Sequence, residues 1–312
     1  MRLLRVSFAA LASLVAGVAI HAAPAPAQVP EAPRGTGALM PADRVVTVNG
    51  LRIHYLDWGT AGRPPLILLH GLDRIAHTFD HLAPHFAGRY HVIAMDMRGH
   101  GDSGWDPDGR YGVEDYARDV GGLAEQLELR GVVVWGNSTG GRVAQVFAGM
   151  RPDLVAGVIA EDVGPERPRT IADSYARRVK EEQQGWASED ELLDRLRRTS
   201  QGMPDAGLRT YVRFGTTRRP DGRVIWKRDP NIAGSFTSID LWPFVRRIGA
   251  PVLYLLGGRS AIVPVATQEE LRQTLPRAQL VTVPDTGHYP SDEKPEEVLA
   301  IVDRFLAEAV AR

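Results

Sequence analysis

The segment that most constrains the fold starts at Val132 and reads VVVWGNSTGGRVAQVFA. A run of β-forming residues meets Ser138, which is flanked by Gly136 and Gly140, and a pattern with helical spacing follows at once. The strand-like part, GVVVWG, has no polar alternation, which is typical of a strand that is covered on both faces. Either the glycines only permit a tight turn at this corner, or they also keep a reactive serine hydroxyl accessible to a substrate.

Strands and helices alternate along most of the chain from Arg44 onward. We predict eight strands, which read RVVTV, LRIHYLDWG, PPLILLHG, YHVIAMDM, GVVVWG, VAGVIAED, PVLYLLGG and AQLVTVPD. Helical spacing is found in VEDYARDVGGLAEQLEL, TGGRVAQVFAGM, VATQEELRQTL and PEEVLAIVDRFLAEAV. The dipeptide Asn49-Gly50 between the first two strands predicts a hairpin. This order predicts the α/β class, with a mostly parallel eight-stranded sheet that has helices on both faces.

Residues 165–240 interrupt this alternation. They are rich in arginine and in helix-forming stretches such as SYARRVKEEQQGW and SEDELLDRLRRTS. We interpret them as a helical cap inserted into a core that comprises residues 44–164 and 241–312. Five aromatic residues in or near the cap could line a substrate pocket or pack the cap onto the sheet, and we favour packing: Trp186, Tyr211, Phe214, Trp226 and Trp242.

The amino terminus has the order of a secretory signal. A short basic stretch, MRLLR, precedes the apolar run VSFAALASLVAGVAI and the small residues HAAPAPAQ. The apolar run has the length of a signal-peptide core and is short for a membrane span. We therefore predict a signal peptide over residues 1–27, a disordered linker over 28–43, and an exported protein that is periplasmic or secreted and has no stable membrane span after cleavage. The alternative is an uncleaved membrane anchor.

Composition excludes several classes of function. The 312 residues include no cysteine, which excludes disulfides, thiolate metal sites and a cysteine nucleophile. The net charge of −1 provides no electrostatic footprint for nucleic acid. The histidine and aspartate residues lack the spacing of metal ligands, so we expect neither a metal nor another cofactor.

The remaining residues that carry chemistry favour a nucleophilic role for Ser138. Gly136-Asn137-Ser138-Thr139-Gly140 is a G-x-S-x-G motif at a strand-to-helix corner, the context of a nucleophile elbow. His288 follows the last predicted strand, where it could reach Ser138 across the carboxyl edge of the sheet and act as its base. The backbone N–H groups of Leu72, which follows His70-Gly71, and of Thr139 are the predicted oxyanion hole.

Four segments together give the chain a specific resemblance. HGLDR, DMRGHGDSG, GNSTGG and PDTGHYPSDEKPEEV make it similar to the α/β-hydrolase superfamily, in its serine hydrolase and esterase-like branch, from about Arg44 to Ala311. The resemblance implies that fold and a triad of serine, histidine and acid. It also implies that Asp96, Arg98 and His100 organise a structural loop and need not touch the substrate.

The chain departs from the family pattern at the acid. In most members an aspartate follows strand seven, but the corresponding stretch here, LLGGRSAIVP, places Ser260 or Ala261 at that position. Asp162, at the end of strand six, is the preferred substitute, because some members carry the acid there. Glu161, Asp285 or the complete absence of an acid are the alternatives. Strand alternation directs Glu161 and Asp162 to opposite sides, and the Ser260 hydroxyl could support whichever group faces His288.

The identity of the nucleophile narrows the reaction class. Haloalkane dehalogenases and epoxide hydrolases of this superfamily use an aspartate at the elbow, whereas a serine suits attack on an acyl carbon. We predict an exported serine carboxylester hydrolase that cleaves a small-molecule ester or lactone through an acyl-enzyme. The alternatives are a C–C bond hydrolase, a cofactor-free perhydrolase, or a catalytically silent relative that binds a ligand.

Overall fold

A computed structural model describes residues 40–166, 169–200, 202–235 and 239–309 of the chain. All of these residues belong to one compact unit. The predicted signal peptide and most of the predicted linker lie outside the described residues. Within the described residues, no helix combines the length and the apolar character that crossing a membrane requires.

The first half of the chain alternates strands and helices. The strands are β1 (Ala42–Val48), β2 (Leu51–Asp57), β3 (Pro65–Leu69), β4 (His91–Met95), β5 (Val132–Asn137) and β6 (Val155–Glu161). The helices are α1 (Ala83–Phe86), α2 (Val113–Gln126) and α3 (Thr139–Met150), and a 3₁₀ turn covers Ala76–Phe79. β1 starts two residues before the predicted core, so Ala42 and Asp43 belong to the strand and not to the linker.

The segment after β6 is helical only in part. It contains helices α4 (Arg169–Glu182), α5 (Glu189–Thr199) and α6 (Asp205–Gly215), a hairpin of β7 (Thr216–Arg218) and β8 (Val224–Trp226), and helix α7 (Ile232–Ser235). The sequence analysis missed the hairpin, although Pro220-Asp221-Gly222 is a turn signal and Gly222 has a positive φ of 83°. The boundaries of a separate cap stay a prediction.

The last part of the chain returns to the main sheet. It comprises α8 (Trp242–Val245), β9 (Val252–Gly257), α9 (Val265–Thr274), β10 (Ala278–Val283), α10 (Pro290–Glu293) and α11 (Pro295–Ala309). The eight strands of the sheet lie in the order β1-β2-β4-β3-β5-β6-β9-β10. The β1–β2 hairpin and the β2–β4 pair are antiparallel, and every other pair is parallel. The predicted mostly parallel eight-stranded sheet is confirmed.

Helices cover both faces of this sheet, as predicted. On one face, residues such as Ile67 and Val134 pack in a cluster with Phe147 of α3. On the other face, Trp135 packs in a second cluster with Phe305 of α11. Burying such a side chain contributes about 1.5–3 kcal/mol, so both layers hold the central strands in place. Because the central strands are parallel, their carboxyl ends meet at one edge, where ligands of open α/β sheets bind.

The corner between β5 and α3 brings backbone segments into very close contact. Ser138 adopts a strained conformation, with φ 51° and ψ −116°. A Cβ atom on Gly136 would lie 2.1 Å from the carbonyl carbon of Gly140, and one on Gly140 would lie 2.1 Å from the backbone oxygen of Leu69. Only glycine therefore allows the start of α3 to approach β3 and β5 this closely.

Gly140→Ala should destabilise the protein by about 3 kcal/mol, since the new methyl group collides with backbone that cannot move aside. The matched control is Gly249→Ala, because a Cβ atom at this exposed glycine would meet nothing within 4 Å. Urea unfolding of both variants measures the difference. If Gly140→Ala unfolded at the same urea concentration as the control, the close approach described here would be wrong.

Candidate active site

Ser138 occupies the corner at the carboxyl end of β5. Its backbone N–H donates to the Glu161 carbonyl at 3.0 Å, and its own carbonyl accepts from the Arg142 N–H at 3.1 Å. These bonds attach the corner to β6 on one side and to the first turn of α3 on the other. The amino terminus of α3 directs its positive dipole end toward this corner. Ser138 thereby lines a cavity of about 410 Å³.

His288 lines the same cavity as Ser138 and lies between β10 and α10. Its Nδ1 is 2.7 Å from Oδ2 of Asp162. The Asp162 side chain is 2% exposed and the His288 side chain is 26% exposed. The carboxylate is thus closed off from solvent while the ring still reaches the cavity, and Nε2 is the ring nitrogen that remains for a proton from Ser138.

The carboxylate of Asp162 is held by two further donors. The Gly257 N–H donates to Oδ1 at 3.0 Å, and the Ser260 hydroxyl donates to Oδ2 at 2.6 Å. Asp162 itself follows β6 with a positive φ of 46°, and its N–H bonds to the Leu255 carbonyl at 2.7 Å. The end of β9 therefore positions an acid that comes from β6. The serine at the usual place of the acid contributes a hydrogen bond to it.

Glu161 and Asp285 are not placed against His288. The Glu161 carboxylate is on the opposite side of the strand end, where it accepts from Trp135 Nε1 at 3.2 Å and from the Ser291 N–H at 2.8 Å. Burial raises the pKa of Glu161 to about 7. Asp285 is exposed, with a φ of 55°. The alternation expected from the sequence thus separates the two acids of β6, although the catalytic role of Asp162 stays a prediction.

The predicted oxyanion residues, Leu72 and Thr139, line the cavity together with Ser138. Two buried histidines hold the backbone near Leu72. The Met97 N–H donates to His70 Nε2 at 3.0 Å, so Nδ1 carries the proton and donates to the Gly71 carbonyl at 2.7 Å. Burial lowers the pKa of His70 to about 3, so its ring stays neutral. His100 Nε2 lies 2.7 Å from the Leu72 carbonyl.

His100 makes a contact next to the predicted oxyanion hole that the sequence analysis did not predict. The resemblance implied that its loop only organises turns, and Arg98 does so through bonds of 2.6 and 2.7 Å to Asp119. His100 also contacts the carbonyl of Leu72, the residue whose N–H is proposed for the oxyanion hole, 28 residues away in sequence. No local pattern reveals a contact of this kind, because it depends on the parallel pairing of β3 and β4.

Other cavity residues were missed as well. The walls also include Asp73, Arg142, Tyr175, Arg178 and Tyr289. Arg142 is one turn beyond Ser138 on α3. This four-residue spacing was the feature of the sequence that could have predicted its place beside the nucleophile. Of the aromatic residues considered for the pocket, Trp186, Tyr211 and Trp226 pack in one buried cluster and also line an adjoining cavity of about 360 Å³.

One group of side chains has the composition of a metal site. Ligand atoms of His54, Asp96 and Asp102 lie within 4.8 Å of one another. His54 Nδ1 is 2.8 Å from Asp96 and its Nε2 is 3.1 Å from Asp43, so both ring nitrogens face carboxylates. Burial would lower the pKa of His54, but the hydrogen bonds to these two acids outweigh it and raise the pKa to about 9. In the described structure the contacts of His54 to Asp96 and Asp43 link β2 to the loop after β4 and to β1.

Comparison with known proteins agrees with this architecture. Residues 64–295 match the family model of the alpha/beta hydrolase fold. The chain is 30% identical to the sn-1-specific diacylglycerol lipase ABHD11 of Mus musculus over 280 residues, which cover 82% of this chain and 85% of the relative. It is 27% identical to an esterase of Mycobacterium tuberculosis over 273 residues, which cover 85% of this chain and 90% of the relative.

A solved structure extends the similarity to three dimensions. The crystal structure of E-2-(acetamidomethylene)succinate hydrolase superposes with a TM-score of 0.77 at 25% identity and covers 85% of this chain and 99% of the other. The 2-(acetamidomethylene)succinate hydrolase of Mesorhizobium japonicum is 27% identical over 265 residues, which cover 84% of this chain and 94% of the relative. The chain therefore belongs to the α/β-hydrolase family.

Proposed function

We propose that this protein is a serine hydrolase that cleaves a carboxylic ester or lactone through an acyl-enzyme on Ser138. The observation that carries the proposal is the 2.7 Å contact between His288 Nδ1 and the buried Asp162, in a ring that lines the same cavity as the strained Ser138. Serine, acid and histidine follow one another in that order along the chain here, as Ser138, Asp162 and His288, and other α/β-hydrolases have the same order. The presence of Ser138, His288 and Asp162 counts against the alternative that the protein is a catalytically silent relative that only binds a ligand.

Each residue has a distinct part in the reaction. His288 Nε2 removes the proton from the Ser138 hydroxyl while Oγ forms a bond to the substrate carbonyl carbon. The Leu72 and Thr139 N–H groups stabilise the oxyanion, and Asp162 stabilises the imidazolium. Collapse of the tetrahedral intermediate breaks the bond to the alcohol, which leaves with the proton from His288. Water, deprotonated by His288, then attacks the acyl carbon, and the acid is released as the bond to Ser138 Oγ breaks and Oγ regains the proton from His288.

The named relatives support the ester assignment in different degrees. The mouse relative is named as a diacylglycerol lipase and the mycobacterial relative as an esterase, and both names describe ester cleavage. The acetamidomethylene-succinate hydrolase is named for a different substrate. A serine nucleophile with an oxyanion hole can attack the acyl carbon of several substrate classes. Of these, a carboxylic ester or lactone is the class that we propose.

Asp162→Asn should lower kcat for a 4-nitrophenyl ester by roughly 10³–10⁴-fold, because the uncharged amide cannot stabilise the imidazolium. Ser260→Ala removes one neutral hydrogen bond to the acid and should cost about tenfold or less. Glu161→Gln is the matched control at the neighbouring position, and its kcat should exceed that of Asp162→Asn by at least about a hundredfold. Steady-state kinetics on the purified variants measure the series, with Ser138→Ala as the baseline.

Two outcomes would contradict this assignment. If Asp162→Asn retained near-normal kcat while Ser138→Ala was inactive, the reaction would use only Ser138 and His288. If Ser138→Ala also kept its activity, the proposed nucleophile would be wrong.

We propose in addition that the protein is exported. The support is the basic, apolar and small-residue order of residues 1–27. Expression of the full-length chain should yield a protein that lacks this segment, located in the periplasm or the culture fluid. Cell fractionation and amino-terminal sequencing check this, and an intact amino terminus in the cytosol or the membrane would contradict it.

A further inference from the structure

We propose that the substrate of this site carries a carboxylate close to the scissile bond and that Arg142 selects it. The inference rests on the proposed function of Ser138 and names the substrate class of the same cavity. The observation behind it is a buried arginine beside the nucleophile whose charge no carboxylate contacts in the described part of the chain.

Arg142 is fixed next to the catalytic corner. It is on α3, one turn beyond Ser138, and its N–H bonds to the Ser138 carbonyl at 3.1 Å. The residue is 1% exposed, and it lines the same cavity of about 410 Å³ as Ser138 and His288. A ligand that places its carbonyl carbon at Ser138 therefore lies within the field of this guanidinium.

The partners of the guanidinium are neutral. Nη1 donates to the Gly164 and Pro165 carbonyls at 3.2 and 3.1 Å, and Nη2 donates to the Ile239 carbonyl at 2.6 Å. The buried Nε has no hydrogen-bond partner among the described residues. Asp240 acts on the charge only from a greater distance and is itself exposed. An orphaned donor and an unpaired charge therefore occur together in one residue that lines the cavity.

Three other arginines around these cavities contact carboxylates. Arg178 pairs with Asp73, and Arg228 pairs with both Asp73 and Glu182. Arg74 lies 3.0 Å from Asp292. Of the two arginines that line the nucleophile's cavity, Arg178 is thus paired with an acid, whereas Arg142 contacts no carboxylate among the described residues. Glu166 also lines this cavity, but it is exposed and accepts from Trp242 Nε1 and the Thr267 hydroxyl.

Burial lowers the pKa of Arg142 to about 10, yet a guanidinium with that value is still protonated at neutral pH. An unpaired buried charge is costly to a folded protein, and an anionic ligand would relieve that cost. A carboxylate is suitable because it accepts charge-assisted hydrogen bonds from a guanidinium.

Holding the backbone does not require the charge. Gly164 and Pro165 precede α4 and Ile239 follows α7, so Arg142 also joins the two ends of the segment between β6 and α8. Neutral donors would serve those carbonyls equally well. Anion selection needs the positive charge itself, and this difference separates the two roles experimentally.

The test compares esters that differ in one carboxylate. Monoethyl glutarate is matched with ethyl pentanoate, and butyryloxyacetate is matched with its methyl ester, so that the acyl and the alcohol parts are both probed. The wild-type protein should show a kcat/KM at least about tenfold higher for the anionic member of one pair. Arg142→Gln, which keeps hydrogen-bond donors without the charge, should lose that preference, whereas Arg142→Lys should retain most of it.

Arg118→Gln is the matched control for net charge, because it removes an arginine from the exposed face of α2. Its preference should equal that of the wild type. The inference is overturned if the wild type shows no preference for either anionic ester, or if Arg142→Gln and Arg142→Lys lose the preference equally. Neutral esters would still be hydrolysed in both cases, so the proposed function would stand.

A binding measurement keeps the inference testable if no ester is turned over, an outcome that would count against the proposed function. Calorimetric titration of the Ser138→Ala protein with monoethyl glutarate should give a Kd at least about tenfold lower than titration of the Ser138→Ala/Arg142→Gln protein. Equal affinities would overturn the role of Arg142.

Discussion

The close approach of α3 to β3 and β5 is the constraint on which the site depends. Gly136 and Gly140 allow backbone atoms to meet where a Cβ would overlap them, and Ser138 takes up the strain with a positive φ. Three consequences follow at this single corner. The serine is held at the carboxyl edge of the sheet, the helix dipole points at it, and Thr139 lines the same cavity as Leu72.

The second constraint is the register of the sheet. It brings Asp162, from the end of β6, to the position beside His288 that an aspartate after β9 occupies in most members of the family. Asn137 pairs with Glu161, and Glu161 pairs with Leu255, so the ends of β5, β6 and β9 are level. One residue beyond the end of β6, Asp162 can accept bonds from Gly257 and Ser260 of the β9 end and still contact His288. A serine in place of the family's usual aspartate is therefore consistent with a complete relay.

The sequence predicted the parts of this protein that follow from local patterns. Apolar runs and Gly-flanked corners predicted the eight strands, and period-two alternation correctly placed Glu161 and Asp162 on opposite sides. The hairpin after α6 was missed because a helix-rich composition outweighed its short turn signal. The surroundings of Arg142 could not be predicted, since its carbonyl partners come from positions 22, 23 and 97 residues away.

The most direct test of the central claim is to identify which residue a serine-directed fluorophosphonate modifies. The reagent should label the wild-type protein once, and peptide mass spectrometry should locate the adduct on Ser138. Labelling should be far slower in Asp162→Asn, because the relay that activates the hydroxyl is weakened. Modification of another residue, or no modification of correctly folded wild-type protein, would contradict the assignment of Ser138 as the nucleophile.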